Sequence, residues 1–212
     1  MQNKLKQIQT LSEEQFNLLT IVHNEYETGL LALNSLGPNT LTVYGGSRIT
    51  KESQDFIDIQ LICKMLAERK WGIASGGGPG VMTAALNGTK EGGGKTMAFC
   101  INIPGEPSFE NPDVKIIFTQ FSIRKYILRQ SDAFIFAPGG IGTLDEMMEL
   151  LTLIQTNKYQ KKPIFLYNSK FWSGYIDWMK NILIEKYELV PNEFLNLFYL
   201  VDSPNEIMSK LY

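Results

Sequence analysis

AFIFAPGGIGTLDE, residues 133–146, joins five consecutive apolar residues to a proline–glycine turn and then to the start of an amphipathic run. An unbroken apolar run of this length, bounded by turn residues, reads as a strand buried on both faces of a parallel sheet. Residues 143–156 follow as a strong helix, with Leu144, Met147, Leu151 and Ile154 facing inward. Outward from this unit the pattern repeats. Residues 40–44, 71–74, 96–103, 114–119, 163–167 and 198–201 read as strands. Helical stripes fall at Leu19, Val22, Tyr26, Leu30 and Leu33, ended by Gly37-Pro38, and at Phe56, Ile59, Cys63 and Leu66. Further helices are predicted over residues 81–92, 123–130 and 172–186, and Ser203-Pro204-Asn205-Glu206 opens a last one with a cap, a first-turn proline and a returning glutamate. Strands alternating with helices predict an α/β fold with a doubly wound, mostly parallel sheet of about seven strands covered by helices on both faces. No repeat or linker interrupts the 212 residues, so one domain is expected, with residues 1–36 as an N-terminal helical extension.

Composition narrows the function classes. Hydrophobic residues make up 44% and charged residues 20%, enough for a sizeable core and too apolar for wholesale disorder. Lys and Arg total 20 against 22 Asp and Glu, without blocks of like charge, which argues against a nucleic acid polymer or an anionic membrane as partner. No apolar run approaches the roughly 20 residues of a membrane span, and MQNKLKQIQT has no apolar signal core. Cys63 and Cys100 sit in apolar patterns without metal-ligand spacing, as reduced core thiols of a cytoplasmic protein would. The one histidine, His23, lies in the opening helix and reads as structural; no metal site is expected.

In a parallel sheet every strand-to-helix loop leaves at the carboxyl edge, where ligands bind. Four such loops carry unusual residues: Gly45-Gly46-Ser47-Arg48, residues 75–80, residues 121–125 and residues 138–146. All four should meet at one cleft. In Ser75-Gly76-Gly77-Gly78-Pro79-Gly80 the glycines would let backbone amides approach a phosphate at a helix start. This is not a dinucleotide fingerprint, since Val81 occupies the third glycine position and Ala98 stands where the acidic residue belongs. Gly92-Gly93-Gly94-Lys95-Thr96 fails as a Walker A loop, with Thr89 at the first glycine position and a helix-to-strand order; it reads as a structural turn. Thr143 and Glu146 have capping-box spacing, so Glu146 reads either as a cap or as a cleft carboxylate. Asp145 is an ordinary first-turn acid. Arg124 and Lys125, placed against the helix dipole, suggest an anionic ligand or else a solvated pair, and Arg48 has the same ambiguity.

With these segments in order, the chain resembles the LOG family, also labelled lysine decarboxylase-like. Its hallmark P-G-G-x-G-T-x-x-E is matched from Pro138 to Glu146, with the glycine loop at 75–80, the Arg124-Lys125 pair and Thr152-Leu153-Ile154-Gln155 in their places. The resemblance spans roughly residues 40–185 and does not carry the first 35. It implies a Rossmann-like fold, a homodimer and phosphoribohydrolase activity: hydrolysis of the N-glycosidic bond of nucleoside 5′-monophosphates, AMP-like or N6-modified, to free base and ribose 5-phosphate. Arg124 and Glu146 would be the catalytic pair. Gly45, Gly46, Ser47, Arg48, Ser75, Gly76, Gly77, Gly78, Lys125, Gly139, Gly140, Ile141, Gly142, Thr143, Asp145 and Thr152 would line the nucleotide site, with no cofactor. Gly46-Ser47 departs from the Ser-Ala or Ser-Ser that many relatives carry after the first strand. A decarboxylase label finds no recognisable pyridoxal-phosphate lysine site in support. The rival reading is a non-catalytic binding or carrier protein for a nucleotide or phosphorylated cofactor on the same fold. A third makes assembly the function, through the aromatic helix of Phe171, Trp172, Tyr175 and Trp178.

Overall fold

The computed structural model describes residues 11–105 and 107–211. Its strands are β1 (Thr40–Tyr44), β2 (Gly72–Ser75), β3 (Thr96–Ile101), β4 (Val114–Phe118), β5 (Ala133–Phe136), β6 (Ile164–Tyr167) and β7 (Tyr199–Val201). They form one sheet in the order β4-β3-β2-β1-β5-β6-β7, and every neighbouring pair is parallel. The expected doubly wound sheet is therefore parallel throughout. Around it lie α1 (Glu13–Asn34), α2 (Gln54–Glu68), α3 (Val81–Glu91), α4 (Phe121–Leu128), α5 (Ile141–Gln155), α6 (Ser169–Trp178) and α7 (Pro204–Leu211). Residues 1–10 of the expected N-terminal extension lie outside the described residues.

Strand alternation builds two cores, one on each side of the sheet. Phe134, Phe136, Ile164 and Leu166 face one side with residues of α1, α4, α5 and α6. Leu41, Val43, Ile73, Ala133, Ile135 and Phe165 face the other with α2, α3 and α7. Burying each large side chain contributes about 1.5–3 kcal/mol, so covering both faces is the main driving force for this layered arrangement. Two glycines set how near the helices come. A Cβ at Gly88 would lie 2.0 Å from the carbonyl oxygen of Gln60, so α2 and α3 touch backbone to backbone. One at Gly29 would lie 2.7 Å from Ile127, so α1 beds closely on α4.

Three predicted elements differ in detail. Leu19, expected on the buried stripe of α1, is 53% exposed, because the first turns of this helix run out past the core that takes up Leu33. The expected helix over 172–186 begins at Ser169 and changes at Met179 into a π-helix to Lys186. Its two buried residues, Met179 and Ile184, are five apart, a spacing that the wider turn brings to one side. The helix expected from 143 begins at Ile141, with consequences for the site. Among the described residues no helix is long and apolar enough to cross a membrane.

Candidate active site

The strand order reverses between β1 and β5, and the loops leaving these two strands meet at that point: Gly46 N–H donates to the Pro138 carbonyl at 2.9 Å. A crevice at such a switch point is where doubly wound sheets bind ligands. Here a cleft of about 290 Å³ opens, lined by all four predicted loops. Gly45, Gly46 and Ser47 line it, as do Gly76, Gly77 and Gly78, then Arg124 and Lys125, then Gly140, Gly142, Thr143, Asp145 and Glu146. Its volume sits at the small end of the roughly 300–1,000 Å³ usual for ligand sites, room for one compact ligand.

Five predicted residues do not line the cleft. Arg48 is exposed. Ser75 is buried in β2 and donates to the Val43 carbonyl at 3.2 Å. Gly139 supports the wall from behind, since a Cβ there would fall 2.2 Å from Thr143 Oγ1. Ile141 is 82% exposed on the first turn of α5. Thr152 is exposed farther along the same helix, beside a separate small cavity with Met148 and Met179. Conversely, Tyr44, Met82, Cys100, Ile101, Ile103, Pro107 and Ser108 line the cleft without having been predicted. Most come from the end of β3 and the loop after it. That loop joins two strands without a helix, so counting strand-to-helix loops passed over it. Yet β3 is parallel to the rest and ends at the same edge, and Phe109 N–H donates to the Gly77 carbonyl at 2.7 Å, laying the loop along the cleft.

The two glycine-rich helix starts are not equivalent. At the first, Gly80 has φ +65° and passes so near the β1 loop that a Cβ would lie 2.3 Å from the Gly46 carbonyl. The Val81 amide is then taken by Gly46 O at 3.1 Å, and Thr83 Oγ1 donates to Gly78 O at 2.9 Å. This turn packs the loops together, leaving fewer free donors than its glycine count suggests. At the second, Gly140 is an extended cap without any side-chain capping bond. The first intrahelical donor is Leu144, to Gly140 O at 3.0 Å, which leaves the amides of Gly142 and Thr143, both lining the cleft, able to meet an anion.

Because α5 begins at Ile141, Thr143 lies inside its first turn and is not its cap. The capping box proposed for Thr143 and Glu146 is therefore absent. Glu146 instead accepts a hydrogen bond from Arg124 Nη2 at 2.6 Å, with only 10% and 11% of the two side chains exposed. Of the two readings given for Arg124 and Lys125, the solvated surface pair does not hold, since their side chains are only 11% and 16% exposed. Lys125 Nζ lies 2.9 Å from Asp145 and 2.6 Å from Glu149, and Arg129 also pairs with Glu149. Cations of α4 thus interlock with acids of α5. Arg124 Nε is buried with no hydrogen-bond partner among the described residues, and Arg124 stands 5.5 Å over the Phe121 ring.

Burial pushes the Glu146 carboxyl up to about 7, although Arg124 and its hydrogen bond pull it down. Desolvation outweighs the ion pair here, and the group is left able to change protonation state near neutrality. Tyr44 is raised well above the usual tyrosine range by burial and then by the Glu146 charge, so it stays a neutral phenol. Burial also raises the Cys100 thiol. For Lys125 burial works downward, but hydrogen bonds to Glu149 and Asp145 outweigh it and hold the ammonium charged. His23 is exposed on α1. Gly92-Gly93-Gly94 lies at the α3-to-β3 turn, with Gly94 N–H closing on the Thr89 carbonyl at 2.9 Å, the structural turn expected.

Fold and cleft together define a Rossmann-like α/β protein with an anion-receptive crevice at the switch point and a buried Arg–Glu pair inside it. The family described as possible lysine decarboxylase matches residues 82–211, and the chain belongs to it, the LOG family of the sequence resemblance. A probable cytokinin riboside 5′-monophosphate phosphoribohydrolase of Oryza sativa subsp. japonica is 28% identical over 182 residues, covering 82% of this chain and 77% of that one. The pyrimidine/purine nucleotide 5′-monophosphate nucleosidase of Escherichia coli K12 is 28% identical over 150 residues, covering 65% of this chain but 33% of that longer protein. Among solved structures, a molybdenum cofactor binding protein from Rippkaea orientalis superposes with a TM-score of 0.62 at 23% identity, covering 82% of this chain and 96% of that one. This last likeness is one of fold.

Proposed function

We propose that the protein hydrolyses the N-glycosidic bond of nucleoside 5′-monophosphates, AMP-like or N6-modified, releasing free base and ribose 5-phosphate. The observation that carries the reading is the buried Arg124–Glu146 pair set in the same cleft as the uncapped start of α5. The relatives' names point to the same substrate class. In this reading the phosphate lies on the amides of Gly142 and Thr143, where the helix dipole favours negative charge. That anchor lets remote binding energy hold the ribose C1′ near Glu146. As the bond to the base lengthens, positive charge grows on the ribose, and the Glu146 carboxylate stabilises it. Glu146 takes a proton from the attacking water while the oxygen bonds to C1′. The electron pair of the broken C–N bond leaves on the base nitrogen, which takes up the proton that Glu146 drew from the water, directly or through solvent, and Glu146 is regenerated as a carboxylate. Arg124 holds Glu146 in place through its Nη2 hydrogen bond. The base would lie along the apolar wall of Ile101, Ile103 and Pro107.

Two further parts of the reading concern assembly and compartment. A homodimer is supported by exposed Met148, Phe171 and Trp178 on neighbouring helices, and sedimentation would give twice the chain mass. A cytoplasmic location accords with two buried free thiols, Cys63 and Cys100.

The test is to incubate the protein with AMP, GMP, CMP, UMP and an N6-alkylated AMP and to separate the products by chromatography. Equal amounts of base and ribose 5-phosphate are expected. Folded protein that binds a monophosphate but releases no base from any of them would refute hydrolysis and leave the carrier reading.

A further inference from the structure

The helix carrying Arg124 and Lys125 is held at both ends by side chains from elsewhere in the fold. At its C-terminal end, Thr42 Oγ1 donates to the Leu128 carbonyl at 2.8 Å, and Lys162 Nζ donates to the carbonyls of Gln130 and Ser131 at 3.2 and 2.6 Å. At its N-terminal end the cap is Gln120, whose side chain makes no capping bond. Glu25 of α1 stands at that end instead. Its Oε1 accepts from the Thr119 amide, one residue before the cap, at 2.6 Å. Its Oε2 is buried and finds no hydrogen-bond partner among the described residues.

A buried, unpartnered carboxylate oxygen is costly, and a helix start is one of the few places where its charge is favoured. The neighbouring contacts fix Glu25 there. Tyr26 meets Tyr126 edge to face at 4.9 Å, and Gly29, one turn along the same face of α1, lets the helix bed against Ile127. With eight residues, α4 has little stability of its own, so its position follows its tethers. Gln120 passes that position on directly, since its carbonyl accepts the Arg124 amide at 3.2 Å.

We propose that Glu25 is a positioning residue for the Arg124–Glu146 pair, through which α1 sets the N-terminal end of α4 and hence the closeness of Arg124 to Glu146. Glu25 lies before the stretch of chain that the family match covers, so α1 contributes to the site from outside it. The inference rests on the hydrolytic reading for its consequence in rate but not for its geometry. A displacement of about 1 Å at a reacting group can cost about 100-fold in rate.

The experiment follows the Glu146 carboxyl carbon by NMR through a pH titration in wild type, Glu25→Ala and Glu25→Gln. Groups facing Glu146 are Arg124 and Lys125 from α4, Asp145 from its own helix and Tyr44 from β1. Of these, Glu25→Ala would loosen the α4 cations. The midpoint is expected to rise by about one pH unit, the small end of what an adjacent opposite charge contributes, with kcat falling about tenfold and KM little changed. Glu25→Gln, whose amide oxygen can still accept from Thr119, is expected to titrate and turn over like wild type. A general loss of stability would not move the midpoint in the folded protein. An unmoved midpoint in Glu25→Ala overturns the inference, as does a Glu25→Gln variant shifted equally far. If wild type releases no base, the hydrolytic reading fails while the titration still decides the role of Glu25.

Discussion

Replacing Glu146 by Gln should move activity and stability in opposite directions. The amide keeps the size of the side chain and an oxygen to accept from Arg124, but loses the charge. If Glu146 activates water and stabilises charge at the ribose, kcat falls by about 10²–10⁴, the usual contribution of a positioned acid–base group. Stability responds to what the site does to that charge. Holding a carboxyl at about 7 rather than its ordinary 4.5 disfavours the ionised form by about 3 kcal/mol in the folded protein. The neutral form is therefore the stabilising one. Its contribution is complete below about pH 4.5 and is lost as pH rises through about 7. Glutamine stays neutral throughout, so Glu146→Gln should unfold at higher denaturant than wild type at pH 8, by at most about 3 kcal/mol, and the difference should shrink toward pH 4.5. Urea unfolding across pH 4.5–8, paired with chromatography of released base, measures both effects. A variant less stable than wild type at pH 8 and fully active would show Glu146 to be one half of a structural ion pair, and would refute the argument.

Three other outcomes follow from particular contacts. Gly142→Asp has open space for its side chain and puts a carboxylate in the first turn of α5; steady-state kinetics should show KM for a monophosphate raised about tenfold or more, with thermal stability unchanged or slightly higher, from helix-dipole interactions of about 0.3–1 kcal/mol. Gly88→Ala would push a methyl to 2.0 Å from the Gln60 carbonyl and must part α2 from α3; urea unfolding should show a loss of about 1–3 kcal/mol, the range for overpacked interiors. Cys63 and Cys100 are buried, and burial raises both thiols; a thiolate-specific reagent at pH 8 should label neither quickly in native protein and both in urea, with rapid native labelling contradicting their placement.

Much of the site was legible because parallel sheets obey a directional rule. Each strand-to-helix loop leaves at one edge, so the glycine-rich turns and Arg124, Lys125 and Glu146 could be assigned to one cleft before their distances were known. Two things escaped that rule. The segment after β3 carries no helix, so Ile101, Ile103 and Pro107 gave no loop signal, although they form a wall of the cleft. Thr152 sits on the matching helix, but its exposed face turns it away from the cleft of its own chain.

The apolar runs and helical stripes settled the strands, most of the helices and the layered sheet, because periodicity reports which side of an element leaves water, and that is local information. They also marked Glu146 as a residue with two possible employments. Choosing between them required three dimensions. Helix α5 starts two residues earlier than its spacing suggested, so the capping geometry is lost, and Arg124 arrives from a helix 22 positions away to meet the freed carboxylate. Whether a glycine turn offers its amides or spends them also depends on a distant carbonyl, as Gly46 shows at Val81. Burial is likewise a property of the assembled fold: the same glutamate in an exposed first turn would titrate as an ordinary acid, and here the cleft walls lift it to neutrality.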